Sequence, residues 1–286
     1  KLGLAARMLG KDQFRELLRM LLINVHDVLN DDLTDARLKG LVAFDTTLGS
    51  WLGPRSPNSL ILLLNRLAGQ AAGEAAAVAF PRGGMGALSA AMGKAAAACG
   101  VTVRTDARAA ALIIENDRVV GVTLAGGEAL RAATVVSAIS PKTTFLQLAG
   151  PRHLDAGFVK RIRDQKSRGA AAKLHLALKG KPDFRGADLT SRLVIAPSEV
   201  AVESAFNPVK YNEVPTRPVM EVIIPSAHEQ GYAPDGHHVL SAIVQYAPHA
   251  PKAGHEKARA AMLGNTLAVL EDHAPGLRKL IVGAEM

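Results

Sequence analysis

Cysteine is nearly absent from this chain of 286 residues, and the shortage excludes several kinds of site. The single cysteine, Cys99, cannot form an internal disulfide, a CxxC redox pair or a zinc site that needs several thiolates. It lies between a run of four alanines and Gly100. We therefore expect a small buried thiol at this position rather than a nucleophile.

Aromatic residues are also scarce, at 4% of the chain, and no stretch interleaves them with basic residues as single-strand nucleic-acid platforms do. Lys and Arg outnumber Asp and Glu by 34 to 26, which gives a net charge of +8. These charges are scattered, and the densest basic stretch, 160–168, is typical of a solvated helix face. We expect no nucleic-acid partner, and salt-sensitive binding of an anionic lipid or nucleic acid is the least favoured function.

Long apolar runs are missing as well. No run reaches the roughly 18 residues that a transmembrane helix needs, and no signal peptide opens the sequence. We expect a protein of the bacterial cytoplasm or of an organelle matrix, not a secreted one. Residue 1 is Lys and neither end carries an obvious tail, so we also expect the sequence to be an excerpt of a longer chain.

Familiar catalytic motifs are not found either. The sequence has no GxSxG nucleophile elbow and no GxxxxGKS/T phosphate-binding loop. None of its nine histidines belongs to an HExxH pair, so a zinc hydrolase is not supported. The residues alone predict no metal site, and they identify no catalytic side chain.

The first 79 residues predict helices. Apolar residues in 11–30 recur at i, i+3, i+4 and i+7, which predicts one amphipathic helix. Residues 31–37 can cap a following helix. Residues 49–59 are rich in glycine and proline and predict a loop, after which 60–67 predict a second buried helix.

From Phe80 onward the pattern changes to a turn, a helix and then strands. In chain order it predicts a tight glycine turn over 80–86, an Ala-rich helix over 86–98 that ends at Gly100, a short strand over 101–104, a hairpin of 112–114 and 118–124, a third strand from Gly126 and a buried strand over 134–137. The segments between 101 and 137 together predict a β-meander.

After Pro141 the sequence alternates strands with turns. Strands are predicted over 173–178, 191–195, 220–224 and 238–246, and an amphipathic helix over 254–272. Alternating polarity in the strands favours an antiparallel sheet with one covered face and one wetter face. The fold class is therefore α+β.

The glycine turn is the one feature that suggests a ligand. Gly84-Met-Gly86-Ala-Leu-Ser89 is a weak match to the dinucleotide fingerprint GxGxxG, because no buried strand precedes it and Ser89 replaces the third glycine. A turn before a helix nevertheless exposes backbone N–H groups, and Arg82 adds positive charge beside them. An anionic or electron-rich ligand edge would suit that position.

Several longer phrases resemble one family when they are taken together. They are 80–89 (FPRGGMGALS), 118–124 (RVVGVTL), 132–141 (AATVVSAISP), 172–178 (AKLHLAL), 182–184 (PDF), 224–226 (IPS), 233–241 (APDGHHVLS), 245–248 (QYAP) and 274–276 (APG). In this combination the sequence resembles the phytoene-desaturase-like FAD-dependent oxidoreductases of the amine oxidase superfamily, from about residue 36 to the end.

The resemblance implies a fold in two domains. A substrate domain of helices on a mainly antiparallel sheet would comprise residues 1–79 and 146–286. Residues 80–145 would be the middle segment of a partial Rossmann-like FAD domain with a β-meander. Such a partial domain is expected to expose edge strands and apolar surface.

The resemblance also implies cofactor contacts. Gly83 and Gly84, with Arg82 beside them, match the double glycine near the cofactor, and Ala109 falls where relatives contact the adenosine of FAD through backbone. The N-terminal GxGxxG unit and the C-terminal segment that covers the flavin are missing from the sequence. This excerpt is therefore expected to bind FAD weakly or not at all, and to be inactive alone.

We call the longer protein, of which this sequence is expected to be an excerpt, the parent. The function that the resemblance implies for the intact parent is removal of hydride from an apolar or amine-like small molecule. A non-catalytic scaffold or interaction protein that retained the substrate-domain fold is the alternative. A homo-oligomer is compatible with either function.

Overall fold

The computed structural model describes residues 8–71, 73–75 and 79–286. Residues 1–7, 72 and 76–78, which belong to the first predicted domain segment, lie outside this range. The chain divides into two compact units. The sheet unit comprises the described residues up to Gly83 together with Arg168–Met286, and the meander unit comprises Gly84–Ser167.

In the described part of the sheet unit, four helices with the following bounds precede the first strand. They are α1 (Lys11–Leu22), α2 (Val25–Asp32), α3 (Ala36–Thr47) and α4 (Leu60–Leu67). The predicted single helix over 11–30 is wrong, because the chain is extended at Asn24, whose side chain accepts a hydrogen bond from the Asp27 amide and starts α2. Asp35 caps α3 in the same way through the amides of Arg37 and Leu38. Turns are present between α3 and α4, as the glycines and prolines of 49–59 predict.

The strands of the sheet unit form a small hairpin and one larger sheet. The hairpin pairs β1 (Gln70–Ala71) with β2 (Glu74–Ala75). The larger sheet contains β6 (Ala171–Leu178), β7 (Leu193–Ile195), β8 (Val219–Ile223), β9 (His238–Gln245) and β10 (Ile281–Glu285) in the order β10-β6-β9-β8-β7. Every neighbouring pair is antiparallel, which confirms the predicted sheet.

Helices pack against this sheet in two cores. The remaining helices of the unit are α7 (Glu199–Val209), α8 (Pro225–His228), α9 (His255–His273) and α10 (Leu277–Leu280). Leu174 and Leu176 of β6 share one core with Met262 and Leu270 of α9, so α9 covers one face of the sheet.

The second core joins α2, α3 and α7 to the end of β9. Phe44 and Phe206 pack there beside Tyr246, and all three side chains are buried. The phenol of Tyr246 donates a hydrogen bond to Oγ1 of Thr47 at 2.7 Å. Burial raises the pKa of this phenol because the phenolate would lose its hydration.

The meander unit contains a three-stranded sheet and two further α-helices. Its elements are α5 (Gly84–Ala98), β3 (Ala109–Glu115), β4 (Arg118–Leu124), β5 (Ala129–Arg131), a π-helix (Lys142–Ala149) and α6 (Ala156–Asp164). The strand order β3-β4-β5 confirms the hairpin at Asn116-Asp117 and the third strand. Gly100, with φ of 78°, follows the helix as predicted.

Two strand predictions and one burial prediction in the meander unit are wrong. Residues 101–104 and 134–137 form no strand, so the meander extends over 109–131 only. A β-strand needs a neighbour to satisfy its backbone, and neither segment pairs with one among the described residues. Cys99 is exposed, contrary to the expected buried thiol, because α5 buries none of its side chains in the part of the chain described.

Candidate functional site

The predicted cofactor turn joins the two units along the chain. Gly83 and Gly84 have φ of 74° and 73°, a left-handed conformation that glycine adopts at little cost. The amide of Gly83 donates a hydrogen bond to Oε2 of Glu229 at 2.8 Å. Just before the turn, the ring of Phe80 stacks on His228 with centroids 4.7 Å apart. These two contacts fix the turn to the end of α8, and they leave Arg82 exposed.

Ala109 begins β3, one of the two outer strands of the three-stranded sheet. It lies opposite Leu124 and is half-buried. An outer strand pairs on one side only, so part of its backbone has no partner in the sheet. Backbone contact with a ligand is thus compatible with alanine at this position. The structure places Arg82 and Gly83 in the sheet unit, and Gly84 and Ala109 in the meander unit.

A second group of functional candidates lies on the larger sheet, on the side opposite α9. Lys173 of β6 and Glu221 of β8 both lie opposite Ile243 of the central strand β9. Residues opposite one another in an antiparallel sheet point to the same side, so these side chains share a face. We call it the polar face, and it comprises Lys173, His175, Glu221, Ser241, Ile243 and Gln245.

A network of charged side chains extends from the polar face to α3. The guanidinium of Arg192, which immediately precedes β7, donates from Nε to Glu221 Oε2 at 2.6 Å and from Nη1 to Asp45 Oδ2 at 3.1 Å. Nη2 of Arg66, in α4, lies 3.5 Å from Oδ1 of Asp45. Burial alone would lower the pKa of Arg192, but its bonds to Asp45 and Glu221 outweigh burial and raise it. Arg192 is thus a permanent cation held by two carboxylates.

Lys173 differs from the other cations of this region because it makes no ion pair among the described residues. Burial lowers the pKa of its amine, and the negative charge of Glu221 opposes that effect in part. The side chain is only partly covered, since Lys173 is one of the exposed residues of β6. The polar face therefore presents one amine that is not committed to a carboxylate.

Gln245 adds a buried amide to the polar face. Its Oε1 accepts a hydrogen bond from the amide of Gly49 at 2.6 Å. Its Nε2 is buried and has no hydrogen-bond partner among the described residues. An unsatisfied buried donor costs free energy, so a water molecule or a polar group that reached this amide would be bound favourably.

Sequence reasoning missed the polar face, although one signal was present. Lys173 and His175 alternate with leucines in β6, and Glu221 interrupts an apolar strand. The alternation predicted a wetter face, but not which charged residues meet there. Arg192 and Asp45 are 147 residues apart in the chain, and no local pattern relates them.

The described part of the chain has neither a metal-ligand cluster nor a helix that could span a membrane. No group of three or more His, Cys, Asp or Glu side chains there has the geometry to hold a metal ion. No helix in that part combines the length and the apolar character of a membrane span.

Two solved structures resemble this fold. An oxidoreductase from Methanosarcina mazei superposes with a TM-score of 0.63 at 16% identity, covering 98% of this chain and 61% of that one. A protein from Pyrococcus furiosus superposes with a TM-score of 0.57 at 12% identity, covering 92% of this chain and 57% of the other. At these identities the likeness shows the fold alone, and it agrees with the predicted α+β class.

Sequence comparison identifies the family. Pyridine nucleotide-disulfide oxidoreductase domain-containing protein 2 of Rattus norvegicus is 30% identical over 297 residues, and the Mus musculus protein of the same name is 29% identical. Both alignments cover 99% of this chain, which spans about half, 51%, of either relative. The sequence model of the family described as flavin containing amine oxidoreductase matches residues 18–260. The predicted resemblance to the amine oxidase superfamily is confirmed, and the chain belongs to the flavin-containing amine oxidoreductase family.

Proposed function

We propose that this chain is part of an FAD-dependent oxidoreductase that removes hydride from an apolar or amine-like small molecule. The family match over residues 18–260 carries the proposal. Bound FAD would supply the hydride acceptor, which is chemistry that no side chain provides. The protein's own residues would bind the substrate, exclude water and handle protons.

Arg82, Gly83, Gly84 and Ala109 would contribute to the cofactor site in this proposal. The two glycines support it because they have positive φ and no side chain, so a ligand could approach the backbone of the turn closely. The outer position of Ala109 supports it because a strand edge offers N–H and C=O groups. The sequence has no GxGxxG turn to hold the pyrophosphate, so other segments of the parent would supply that contact.

Exposed apolar side chains in the meander unit support the division into domains. Val136 is 87% exposed, Met92 66% and Val103 64%. These side chains would be covered if further polypeptide packed against this unit. We propose that residues 80–145 form the middle segment of the FAD domain and that further segments of the parent cover this surface. Residues 1–79 and 146–286 would then form the substrate domain, although 146–167 belong to the meander unit in the structure.

The polar face would line the substrate side of the site. Lys173 is the side chain best suited to exchange a proton with an amine-like substrate, because its Nζ makes no ion pair among the described residues. The buried Nε2 of Gln245 could hold a polar atom of the substrate. The aliphatic side chain of Ile243 lies between Lys173 and Glu221 and would contact an apolar portion.

Anaerobic reduction tests this function in the parent protein, expressed with the coding sequence that flanks this chain and loaded with FAD. Long-chain amines and apolar polyenes are mixed with it in the absence of oxygen, with the corresponding carboxylates as control compounds. We expect at least one amine or polyene to bleach the flavin absorbance and the carboxylates to leave it unchanged. Flavin that stays oxidised with every amine and polyene would argue against this substrate class.

A non-catalytic scaffold is the second candidate, and the missing GxGxxG turn favours it. The coding sequence upstream of this chain decides between the two. An open frame that encodes strand, GxGxxG and helix supports the enzyme, whereas an upstream frame without them supports the scaffold.

A further inference from the structure

The charge network on the polar face has a consequence for the lysine of the proposed site. Two carboxylates lie in this region, on Asp45 and Glu221, and both bind the guanidinium of Arg192. Lys173 and Glu221 are separated by one strand, which places their Cα atoms about 10 Å apart. The extended side chains of lysine and glutamate can bridge that distance. Glu221 is nevertheless bound to Arg192, on the side away from Lys173.

We infer that Arg192 is a positioning residue for the proposed reaction: by binding Glu221 and Asp45 together, it keeps the Glu221 carboxylate from pairing with Lys173. The amine of Lys173 then faces the substrate without an ion-pair partner. The inference deepens the proposed function, because an amine engaged by a carboxylate would stay protonated and could not accept a proton.

The rest of the network is consistent with this role. Arg66 lies 3.5 Å from Asp45, so Asp45 keeps a cationic neighbour even without Arg192. Glu221 has no second cation in its ion pairs among the described residues, and Lys173 lies one strand away from it on the same face. Loss of Arg192 would therefore release Glu221 toward Lys173.

Other charged groups around Lys173 do not provide the same partner. His175 lies two residues along β6 on the same face, and Glu285 of β10 lies opposite His175 rather than opposite Lys173. Strand β9 contributes only uncharged residues beside Lys173, among them Ile243 and Ser241. Glu221 is the one carboxylate whose charge raises the pKa of Lys173 against the larger effect of burial.

Lysine acylation tests the inference without any flavin. The protein is treated with sulfo-N-hydroxysuccinimide acetate at one mildly alkaline pH, and the acetylation rate of each lysine is followed by peptide mass spectrometry. Only the neutral amine reacts, and one pKa unit is a tenfold change in its neutral fraction. Exposed Lys179, just beyond the end of β6, is the internal control.

Two variants are expected to act in opposite directions. Arg192→Met should slow acetylation of Lys173 relative to Lys179 by roughly threefold or more, since Glu221 becomes free to pair with it. Glu221→Gln should accelerate it, because Arg192 keeps both bonds to Asp45 while the negative charge is gone. Unfolding would accelerate labelling in either variant. A slower acetylation of Lys173 in Arg192→Met therefore cannot be explained by unfolding.

Clear outcomes would overturn the inference. One is a ratio of Lys173 to Lys179 labelling that is unchanged or higher in a folded Arg192→Met protein, and another is an unchanged ratio in Glu221→Gln. If Arg192→Met does not fold, an unchanged rate in Glu221→Gln overturns it alone. Because no flavin takes part, a parent that binds no FAD would contradict the proposed function and leave this result intact.

Discussion

Replacing Gly40 with alanine is expected to lower the free energy of unfolding by about 3 kcal/mol or more. Gly40 is the point at which α3 touches the backbone that leads into α7. A Cβ there would lie 2.8 Å from the amide nitrogen of Ser198 and closer still to the carbonyl oxygen of Ala196. Both neighbours are backbone atoms, so relief requires a shift of α3 as a whole. The shift would also displace Asp45, which binds Arg192 from the same helix.

Gly264→Ala is the matched control for that substitution. Gly264 also lies inside a helix, α9, but a Cβ there meets nothing within 4 Å. Alanine should stabilise that helix by roughly 0.5–1 kcal/mol because glycine loses more conformational freedom on folding. Urea unfolding followed by circular dichroism measures both variants. A Gly40→Ala protein within about 0.5 kcal/mol of the original would show that α3 does not need this close approach.

Replacing Gly84 with alanine is expected to weaken FAD binding by the parent about tenfold. Gly84 has φ of 73°, a conformation that raises the free energy of a residue with a Cβ by about 1–2 kcal/mol. A tenfold change in affinity corresponds to about 1.4 kcal/mol. The alanine would therefore change the turn that, in this account, offers its backbone to the cofactor.

Gly254→Ala is the control, since Gly254 has φ of 82° and lies just before α9. The two variants carry similar backbone strain, and only Gly84→Ala changes the proposed cofactor turn. Titration of the apoprotein with FAD, followed by quenching of flavin fluorescence, measures both affinities. Equal losses in the two variants would mean that strain, not the turn, affects binding, and no loss in Gly84→Ala would remove the turn from the site.

Local signals explain which elements the sequence predicted correctly. The hairpin around Asn116-Asp117 has its own turn residues, and both have positive φ in the structure. The Ala-rich helix ends where Gly100 allows a left-handed residue. Such elements depend on neighbouring residues, so they can be predicted without knowledge of the tertiary fold.

Two of the predictions that failed concern residues that need distant partners. Residues 134–137 have a typical strand composition, but no neighbouring strand pairs with them among the described residues, and Val136 is exposed. Cys99 follows an alanine run that suggests burial, yet the helix packs on nothing in the described part of the chain. In both cases the apolar composition suits a buried position, but the residues are buried only if another part of the fold packs against them.

The candidate site also has one part with a local sequence signal and one part without. Gly83 and Gly84 were found because a double glycine is a local sequence signal, and the structure shows the predicted turn. The polar face was not predicted, because its network joins Asp45, Arg192 and Glu221 from three separate parts of the chain. The cofactor residues themselves stay a prediction.

The visible absorption spectrum of the parent protein tests the central claim most directly. The parent is expressed with the coding sequence on both sides of this chain, purified without added cofactor and then reduced. We expect the absorption bands of oxidised flavin at about one FAD per chain, and we expect them to bleach on reduction. A colourless, well-folded parent that does not bind added FAD would contradict it.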